Sequence, residues 1–212
     1  MRAQLLFVGF IALFTTACGG SSINELRPTT GNIVFLGDSI TEGYQVEVAQ
    51  NYPSLIQNKL DAAGFGDYQV VNLGITGDKS VDGLNRLEAV LAAEPEIVVL
   101  ALGGNDFLQG TTLNEVQSNL ETIIETLQAQ NVEVLLVGIV APPLKGLGYT
   151  RQVKSMYESL AETYELKFMP NILKGLVLDQ RYMMPDNVHP KPAGYVLIAE
   201  SLWGYLEPLL RS

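Results

Sequence analysis

Apolar and polar residues follow two different periods along the chain. Continuous apolar runs rich in β-branched residues predict buried strands at Ile33–Leu36, Gln69–Asn72, Ile97–Leu102, Val132–Val140 and, more weakly, Glu165–Met169. Between these runs, apolar residues recur at helical spacing over Tyr52–Ala63, Ser80–Ala93, Thr112–Gln130, Thr150–Tyr164 and Pro192–Leu210. This alternation predicts an α/β protein with three layers, α/β/α, in which a flavodoxin-like parallel sheet lies between two layers of helices.

The N-terminal segment does not belong to that pattern. A positive start at Arg2 and an apolar run from Leu5 to Phe14 are typical of a secretory signal peptide, which we assign to residues 1–17. The apolar run is about half of the roughly 20 residues that a transmembrane helix needs. We therefore expect this segment to be removed from the folded protein.

The residues around Cys18 predict how the mature chain begins. The small residues before Cys18 resemble a bacterial lipobox, in which the cysteine is lipidated and becomes the first residue. Residues 18–30 would then form a lipidated tether, and residues 31–212 one folded domain. Cleavage by an ordinary signal peptidase after Ala17 and an uncleaved anchor remain alternatives.

Composition narrows the classes of partner. Cys18 is the only cysteine, so the mature chain has no internal disulfide and its stability depends on its core. The net charge of −10 and the absence of a basic run argue against nucleic acid or an anionic bilayer as an electrostatic partner. We expect a periplasm-facing protein of the bacterial cell envelope, attached to the membrane only through its lipid. The oligomeric state stays open.

The candidate chemistry depends on one histidine. His189 is the only histidine of the chain, and Asp186 precedes it by three residues. A hydrolase without a metal usually needs one imidazole as general base, because histidine is the side chain that titrates near neutrality. Ser39 follows the first predicted strand and is a matching nucleophile. Ser39, His189 and Asp186 are therefore the candidate nucleophile, base and orienting acid.

Further candidate residues follow other predicted strands. Gly74 comes after the second strand and Asn105 after the third, and sites in parallel sheets form at the carboxyl ends of strands. A tetrahedral oxyanion needs preorganised donors, and the backbone N–H groups of Ser39 and Gly74 with the Asn105 amide are the available set. The order Ser…Asp…His also occurs in α/β-hydrolases, but their Gly-x-Ser-x-Gly elbow is missing here.

Four blocks of residues together resemble the SGNH (GDSL-type) hydrolase family. The blocks are Gly37-Asp38-Ser39-Ile40-Thr41, Gly74 within Asn72–Asp78, Gly103-Gly104-Asn105-Asp106, and Asp186-x-x-His189-Pro190. Each block alone is weak, but their order and spacing agree with the family from about Gly31 to the C-terminus. Ile40 replaces the usual leucine of the first block. Among its members, the chain looks most similar to bacterial periplasmic thioesterases, arylesterases and lysophospholipases.

The resemblance implies a serine esterase that hydrolyses small acyl esters or thioesters through an acyl-enzyme. It implies Ser39, His189 and Asp186 as the catalytic residues, and Ser39, Gly74 and Asn105 as the oxyanion hole. No metal and no organic cofactor are implied. A carbohydrate O-acetylesterase would use the same blocks and remains the alternative within the enzymes.

Two alternatives belong to other classes. A metal-dependent hydrolase would use Asp38, Asp106, Asp186 and His189 as ligands, although we expect Asp38 and Asp106 to brace loops. A non-catalytic envelope lipoprotein could bind lipids or glycans on a hydrolase scaffold. Four further side chains are candidates for an acyl groove, although ordinary core or surface packing is the favoured explanation for them: Tyr149, Tyr157, Met183 and Met184.

Overall fold

A five-stranded parallel sheet forms the centre of the molecule. The computed structural model describes residues 31–140 and 146–211. Its strands are β1 (Asn32–Gly37), β2 (Gln69–Gly74), β3 (Pro95–Ala101), β4 (Glu133–Val137) and β5 (Lys167–Met169). Their spatial order is β2-β1-β3-β4-β5, which is the flavodoxin-like order that the sequence predicts. In this order the chain reverses direction across the sheet between β1 and β3, where such folds form their sites.

Helices cover both faces of the sheet. They are α1 (Ser39–Glu42), α2 (Tyr52–Ala63), α3 (Ser80–Asn85), α4 (Leu87–Ala92), α5 (Gly104–Gln109), α6 (Leu113–Ala129), α7 (Leu147–Thr163) and α8 (Pro192–Leu206). Side chains of α2 and α8 share one hydrophobic core, and those of α4, α6 and α7 share the other. The three-layer prediction is therefore confirmed.

The central strand shows why its sequence is continuously apolar. Ile33 and Phe35 of β1 pack into the core under α2 and α8, whereas Val34 and Leu36 pack into the core on the opposite face. All four side chains have no solvent exposure. Burying each of them contributes about 1.5–3 kcal/mol, so both faces of β1 favour the same fold.

Polar residues fix where the long helices begin. The Asn51 side chain accepts a hydrogen bond from the Ser54 N–H at 2.9 Å and caps α2. Thr112 does the same for the Glu115 N–H at the start of α6. Gly64 ends α2 in the left-handed conformation, with φ of 85°.

The prediction of one continuous helix over Ser80–Ala93 is wrong. The structure divides it into α3 and α4 at Arg86, whose backbone has φ −110° and ψ 18°. The Arg86 guanidinium turns from the helix toward the carbonyl of Gly37 at 3.1 Å. A tertiary contact therefore interrupts a helical pattern that the sequence shows as continuous.

Other boundaries also differ from the predictions. The fourth strand ends at Val137 rather than Val140, and the hydrogen bond from the Gly138 N–H to the Met169 carbonyl, at 2.7 Å, closes its pairing with β5. The last helix ends at Leu206 and continues as a 3-10 helix over Glu207–Arg211. The short helices α1 and α5 were not predicted, because so few residues show no period.

The N-terminal predictions lie outside the described residues. These are the signal peptide over residues 1–17, the lipidated Cys18 and the tether over residues 18–30. Within the described ranges, no helix is long and apolar enough to cross a membrane.

Gly74 brings the end of β2 into contact with the helix that carries Ser39. A Cβ atom on Gly74 would lie 2.2 Å from the Glu42 nitrogen and 2.6 Å from the Thr41 carbonyl carbon. Both atoms belong to the backbone of α1, so they cannot move aside as a flexible side chain would. Gly74 is therefore required by close approach and not by a positive φ.

We predict that Gly74→Ala destabilises the protein by about 1–3 kcal/mol, because the added methyl group overlaps backbone atoms. Gly204→Ala is the matched control, since a Cβ on this helical glycine meets nothing within 4 Å. The control substitution should stabilise the protein by about 0.5–1 kcal/mol through higher helix propensity. Urea unfolding of both variants measures the difference. Equal effects of the two substitutions would contradict the close-approach explanation.

Candidate active site

Three side chains from the two ends of the chain form a continuous hydrogen-bonded series. The Ser39 hydroxyl oxygen lies 2.9 Å from Nε2 of His189. Nδ1 of His189 lies 2.8 Å from Oδ2 of Asp186. The structure thus brings together the serine, histidine and aspartate that the sequence predicts, with each imidazole nitrogen directed at one partner.

Ser39 stands on a sharp turn from strand to helix. β1 ends at Gly37, α1 begins at Ser39, and the Asp38 side chain caps the helix by accepting the Ile40 N–H at 3.0 Å. Gly37 allows the turn to close, since a Cβ there would lie 2.0 Å from the Thr41 hydroxyl oxygen. The turn leaves Ser39 largely buried, with 7% of its surface exposed.

A closed loop carries His189 to the serine. The Met184 N–H donates to the His189 carbonyl at 2.8 Å, and the Lys191 N–H donates to the Tyr182 carbonyl at 2.7 Å. Inside the loop, Oδ1 of Asp186 accepts the backbone N–H groups of Val188 and His189 at 2.9 and 3.0 Å. Asp186 therefore shapes the loop with one oxygen and holds the imidazole with the other.

These hydrogen bonds keep Asp186 ionised. Desolvation by itself would raise the pKa of Asp186, but the hydrogen bonds from the His189 ring and from two backbone N–H groups together lower that pKa to about 2. With this pKa, the Asp186 carboxylate is ionised throughout the neutral range. It can therefore accept a hydrogen bond from Nδ1–H of His189.

Asp38 behaves in the opposite way. Burial raises the pKa of Asp38 to about 6, and the hydrogen bond from Ile40 and the nearby His189 only partly offset that rise. Its protonated form is thus favoured in the fold relative to the unfolded chain. The protonated form of Asp38 therefore contributes to the free energy of unfolding. This contribution is complete below pH about 4 and is lost as the pH rises through about 6.

The three predicted oxyanion donors have different environments. Nδ2 of Asn105 donates one hydrogen to the Asp78 carbonyl at 2.9 Å, which leaves its second amide hydrogen for a ligand. The Ser39 N–H is at the first position of α1, where a helix provides no acceptor. The Gly74 N–H, in contrast, donates to Oδ1 of Asn72 at 2.9 Å. Gly74 would have to exchange this partner to bind an oxyanion.

Arg86 is a structural element of the site that the sequence analysis missed. Its Nε donates to Oδ2 of Asp78 at 2.8 Å, and the same guanidinium donates to the Gly37 carbonyl at 3.1 Å. Both side chains of this ion pair are mostly buried, with 18% and 13% exposure. Arg86 ties the turn before Ser39 to the loop that holds Asn105. The sequence contained a signal for this role. Arg86 is a charged residue that lies three residues after Gly83 and four before Val90, on the face of the predicted helix that is buried.

Asp106 braces a loop, as expected. Its carboxylate is fully buried and accepts hydrogen bonds from both the backbone N–H and the hydroxyl of Ser80, each at 2.8 Å. Ser80 begins α3, so Asp106 joins the loops after β2 and β3. In the parts of the chain that the structure describes, no group of three or more His, Cys, Asp or Glu side chains is arranged to hold a metal ion.

Two of the four groove candidates belong to the core. Tyr157 is 1% exposed and donates its hydroxyl to the Leu102 carbonyl at 2.6 Å. Met183 is fully buried. Tyr149 and Met184 are half-buried, and Tyr149 packs edge-on against Phe107. The ordinary packing interpretation therefore holds for Tyr157 and Met183.

Comparisons with known proteins agree on one family. The profile of the GDSL-like Lipase/Acylhydrolase family matches residues 35–197. The chain is 34% identical over 200 residues to Esterase TesA of Pseudomonas aeruginosa, covering 94% of this chain and 99% of that protein. It is 31% identical over 179 residues to Thioesterase 1/protease 1/lysophospholipase L1 of Escherichia coli K12, covering 84% of each.

A solved structure supports the same relationship. A crystal structure of TesA superposes with a TM-score of 0.81 at 36% identity, covering 84% of this chain and 99% of that one. The matched region contains the loops after β1, β2 and β3 and the loop that carries His189. The chain therefore belongs to the GDSL-like lipase/acylhydrolase (SGNH hydrolase) family and is a carboxylic ester hydrolase.

Proposed function

We propose that the protein hydrolyses acyl esters or thioesters through an acyl-enzyme on Ser39, with His189 as general base and Asp186 as its orienting acid. The observation that carries this proposal is the hydrogen-bonded series from Ser39 through His189 to Asp186. Nε2 of His189 is within reach of the Ser39 proton, and Asp186 is a permanent acceptor for Nδ1–H.

The reaction has two halves in this scheme. Ser39 Oγ attacks the acyl carbonyl while its proton passes to Nε2 of His189, which then protonates the departing alkoxide or thiolate. Water next attacks the acyl-enzyme, giving its proton to His189, and Ser39 leaves with that proton returned. The products are a carboxylic acid and an alcohol or thiol, and His189 ends in its starting state.

The negative oxygen of each tetrahedral intermediate needs donors that are already in position. We assign this role to the Ser39 N–H and the free amide hydrogen of Asn105, with Gly74 joining when its N–H leaves Asn72. The Asp78 carbonyl holds the Asn105 amide, and Arg86 in turn holds Asp78. This support limits reorganisation of Asn105 when the charge develops.

The acyl group and the leaving group are the open part of the proposal. Esters and thioesters differ in leaving group and share the same attack at carbon, so one site serves both. A panel of p-nitrophenyl esters from acetyl to palmitoyl, with an acyl thioester alongside, would define the preference. Carbohydrate O-acetylesterase activity is tested in the same panel with an acetylated sugar, and activity confined to that substrate would favour the alternative.

We also propose that the mature protein is a lipoprotein of the bacterial cell envelope, facing the periplasm. Support comes from the lipobox-like residues before Cys18 and from the apolar run that precedes them. A lipid of two or three acyl chains would suffice for stable membrane attachment.

Ser39→Ala should fold normally and lose activity by roughly 10⁴-fold or more in kcat, because members of such a hydrogen-bonded unit act together. Esterase kinetics measure the loss, and labelling by a fluorophosphonate probe should disappear with it. Ser201→Ala, which removes an exposed hydroxyl from α8, is the matched control and should keep full activity and labelling. If Ser39→Ala kept more than about a tenth of the wild-type rate, Ser39 would not be the nucleophile.

Asn105→Ala should lower kcat by roughly 10²–10³-fold with a smaller change in KM, as expected for loss of one oxyanion donor. Asn105→Asp should be at least as damaging, since a carboxylate repels the developing negative charge. Asn58→Ala, on the exposed side of α2, should leave both constants unchanged. An increase in KM alone would reassign Asn105 to substrate binding.

Mass spectrometry of the mature protein from bacterial membranes should find a diacylglyceryl group on Cys18. Cys18→Ala should abolish this modification and the partition into detergent, while kcat of the purified domain stays unchanged. Recovery of wild-type protein from soluble periplasm with an unmodified N-terminus would instead favour ordinary secretion.

A further inference from the structure

The imidazole of His189 has a third neighbour besides Ser39 and Asp186. The ring of Tyr44 lies against it, with ring centroids 4.4 Å apart and planes inclined by 36°. Each nitrogen of the imidazole already has a hydrogen-bond partner, and the hydrogen bonds of an imidazole nitrogen lie close to the ring plane. Tyr44 therefore contacts the face of the imidazole and does not compete for its hydrogen bonds.

The helix that carries Ser39 also holds Tyr44. Backbone N–H groups of Gly43 and Tyr44 both donate to the Ser39 carbonyl, at 3.1 and 3.0 Å. Gly43 ends the helix in the left-handed conformation, with φ of 93°, and this turns the chain toward His189. One short element thus fixes the nucleophile and the aromatic ring relative to each other.

The ring of Tyr44, and not its hydroxyl, makes the contact that matters here. The hydroxyl oxygen accepts a hydrogen bond from Nε2 of the neighbouring Gln45 at 3.0 Å. The aromatic face carries partial negative charge and attracts a cation placed against it. It attracts the imidazolium more strongly than the neutral imidazole.

We propose that Tyr44 is a positioning residue for the base, whose ring keeps the imidazole aligned with Ser39 and favours the imidazolium that forms during attack. This inference rests on the proposed role of His189. Because the imidazolium forms as Ser39 attacks, the contact should raise kcat more than it changes KM. The expected contribution is about 2- to 30-fold, the range between exposed and desolvated cation–π contacts.

Two carboxyl groups also lie near His189 and affect the balance between imidazole and imidazolium. Asp186 accepts from Nδ1 on the same loop, and buried Asp38 on the turn before Ser39 interacts electrostatically with the ring. Since burial raises the pKa of Asp38 to about 6, the acid side of a pH–rate profile includes the titration of Asp38. The experiment therefore needs a signal that belongs to the imidazole alone.

Nuclear magnetic resonance of the imidazole provides that signal, because His189 is the only histidine. In the wild-type protein, its ring protons should show nuclear Overhauser contacts to the Tyr44 ring and an upfield ring-current shift. Tyr44→Phe should keep both features, whereas Tyr44→Leu should lose the upfield shift. Absence of the contacts in the wild type would overturn the proposal without any variant.

Kinetics complete the test. Tyr44→Leu should lower kcat about 2- to 30-fold at nearly constant KM, and Tyr44→Phe should restore it. Tyr164→Leu, which removes a half-buried tyrosine paired with Glu125 at the far end of α7, is the control and should change none of these.

The possible outcomes distinguish failure of the proposed role of Tyr44 from failure of the proposed function. An unchanged kcat in Tyr44→Leu, an equal loss in Tyr44→Phe, or a change in KM alone would each overturn the role of Tyr44. The proposed function fails separately, if His189→Ala keeps wild-type activity. An inactive His189→Ala together with a fully active Tyr44→Leu would leave the function intact and remove only this inference.

Discussion

The register of the three central parallel strands is the constraint on which the site depends. β1 pairs with β2 and β3 so that Gly37 lies opposite Gly74 on one side and opposite Ala101 on the other. The carboxyl ends of the three strands are therefore level. Ser39 follows the first of them by two residues and Asn105 follows the third by four. A slip of one residue would turn the buried side chains of β1 to the wrong faces, so both cores enforce this register.

Polar contacts join the loops at this edge of the sheet. Asp106 joins the loop after β3 to Ser80 at the start of α3, and Arg86 joins Asp78 to the Gly37 carbonyl. In surroundings of low dielectric such bonds are strong when complete and costly when one partner is missing. They give the loops fixed positions relative to one another.

The carboxylates of the site illustrate how differently one residue type can behave. Hydrogen bonds from the His189 ring and from two backbone N–H groups outweigh desolvation and hold the pKa of Asp186 at about 2. Burial dominates at Asp38 and raises its pKa to about 6, because the Ile40 N–H is its main compensating donor. Asp38 directly precedes Ser39 in the chain, and Asp186 is hydrogen-bonded to His189. Of these two carboxylates, Asp38 is the one whose pKa lies near neutrality.

The sequence by itself determined the fold class, the family and the identity of the residues that meet at the site. Strands such as the one containing Ile33–Leu36 can be recognised in the sequence, because a strand buried on both faces needs apolar residues at every position. A single histidine and four ordered blocks left little choice of chemistry. Only the tertiary structure decided the break at Arg86, the engagement of the Gly74 N–H by Asn72 and the stacking of Tyr44 on His189. Each of these depends on contacts between segments distant in sequence or on the direction of one side chain, which no local period records.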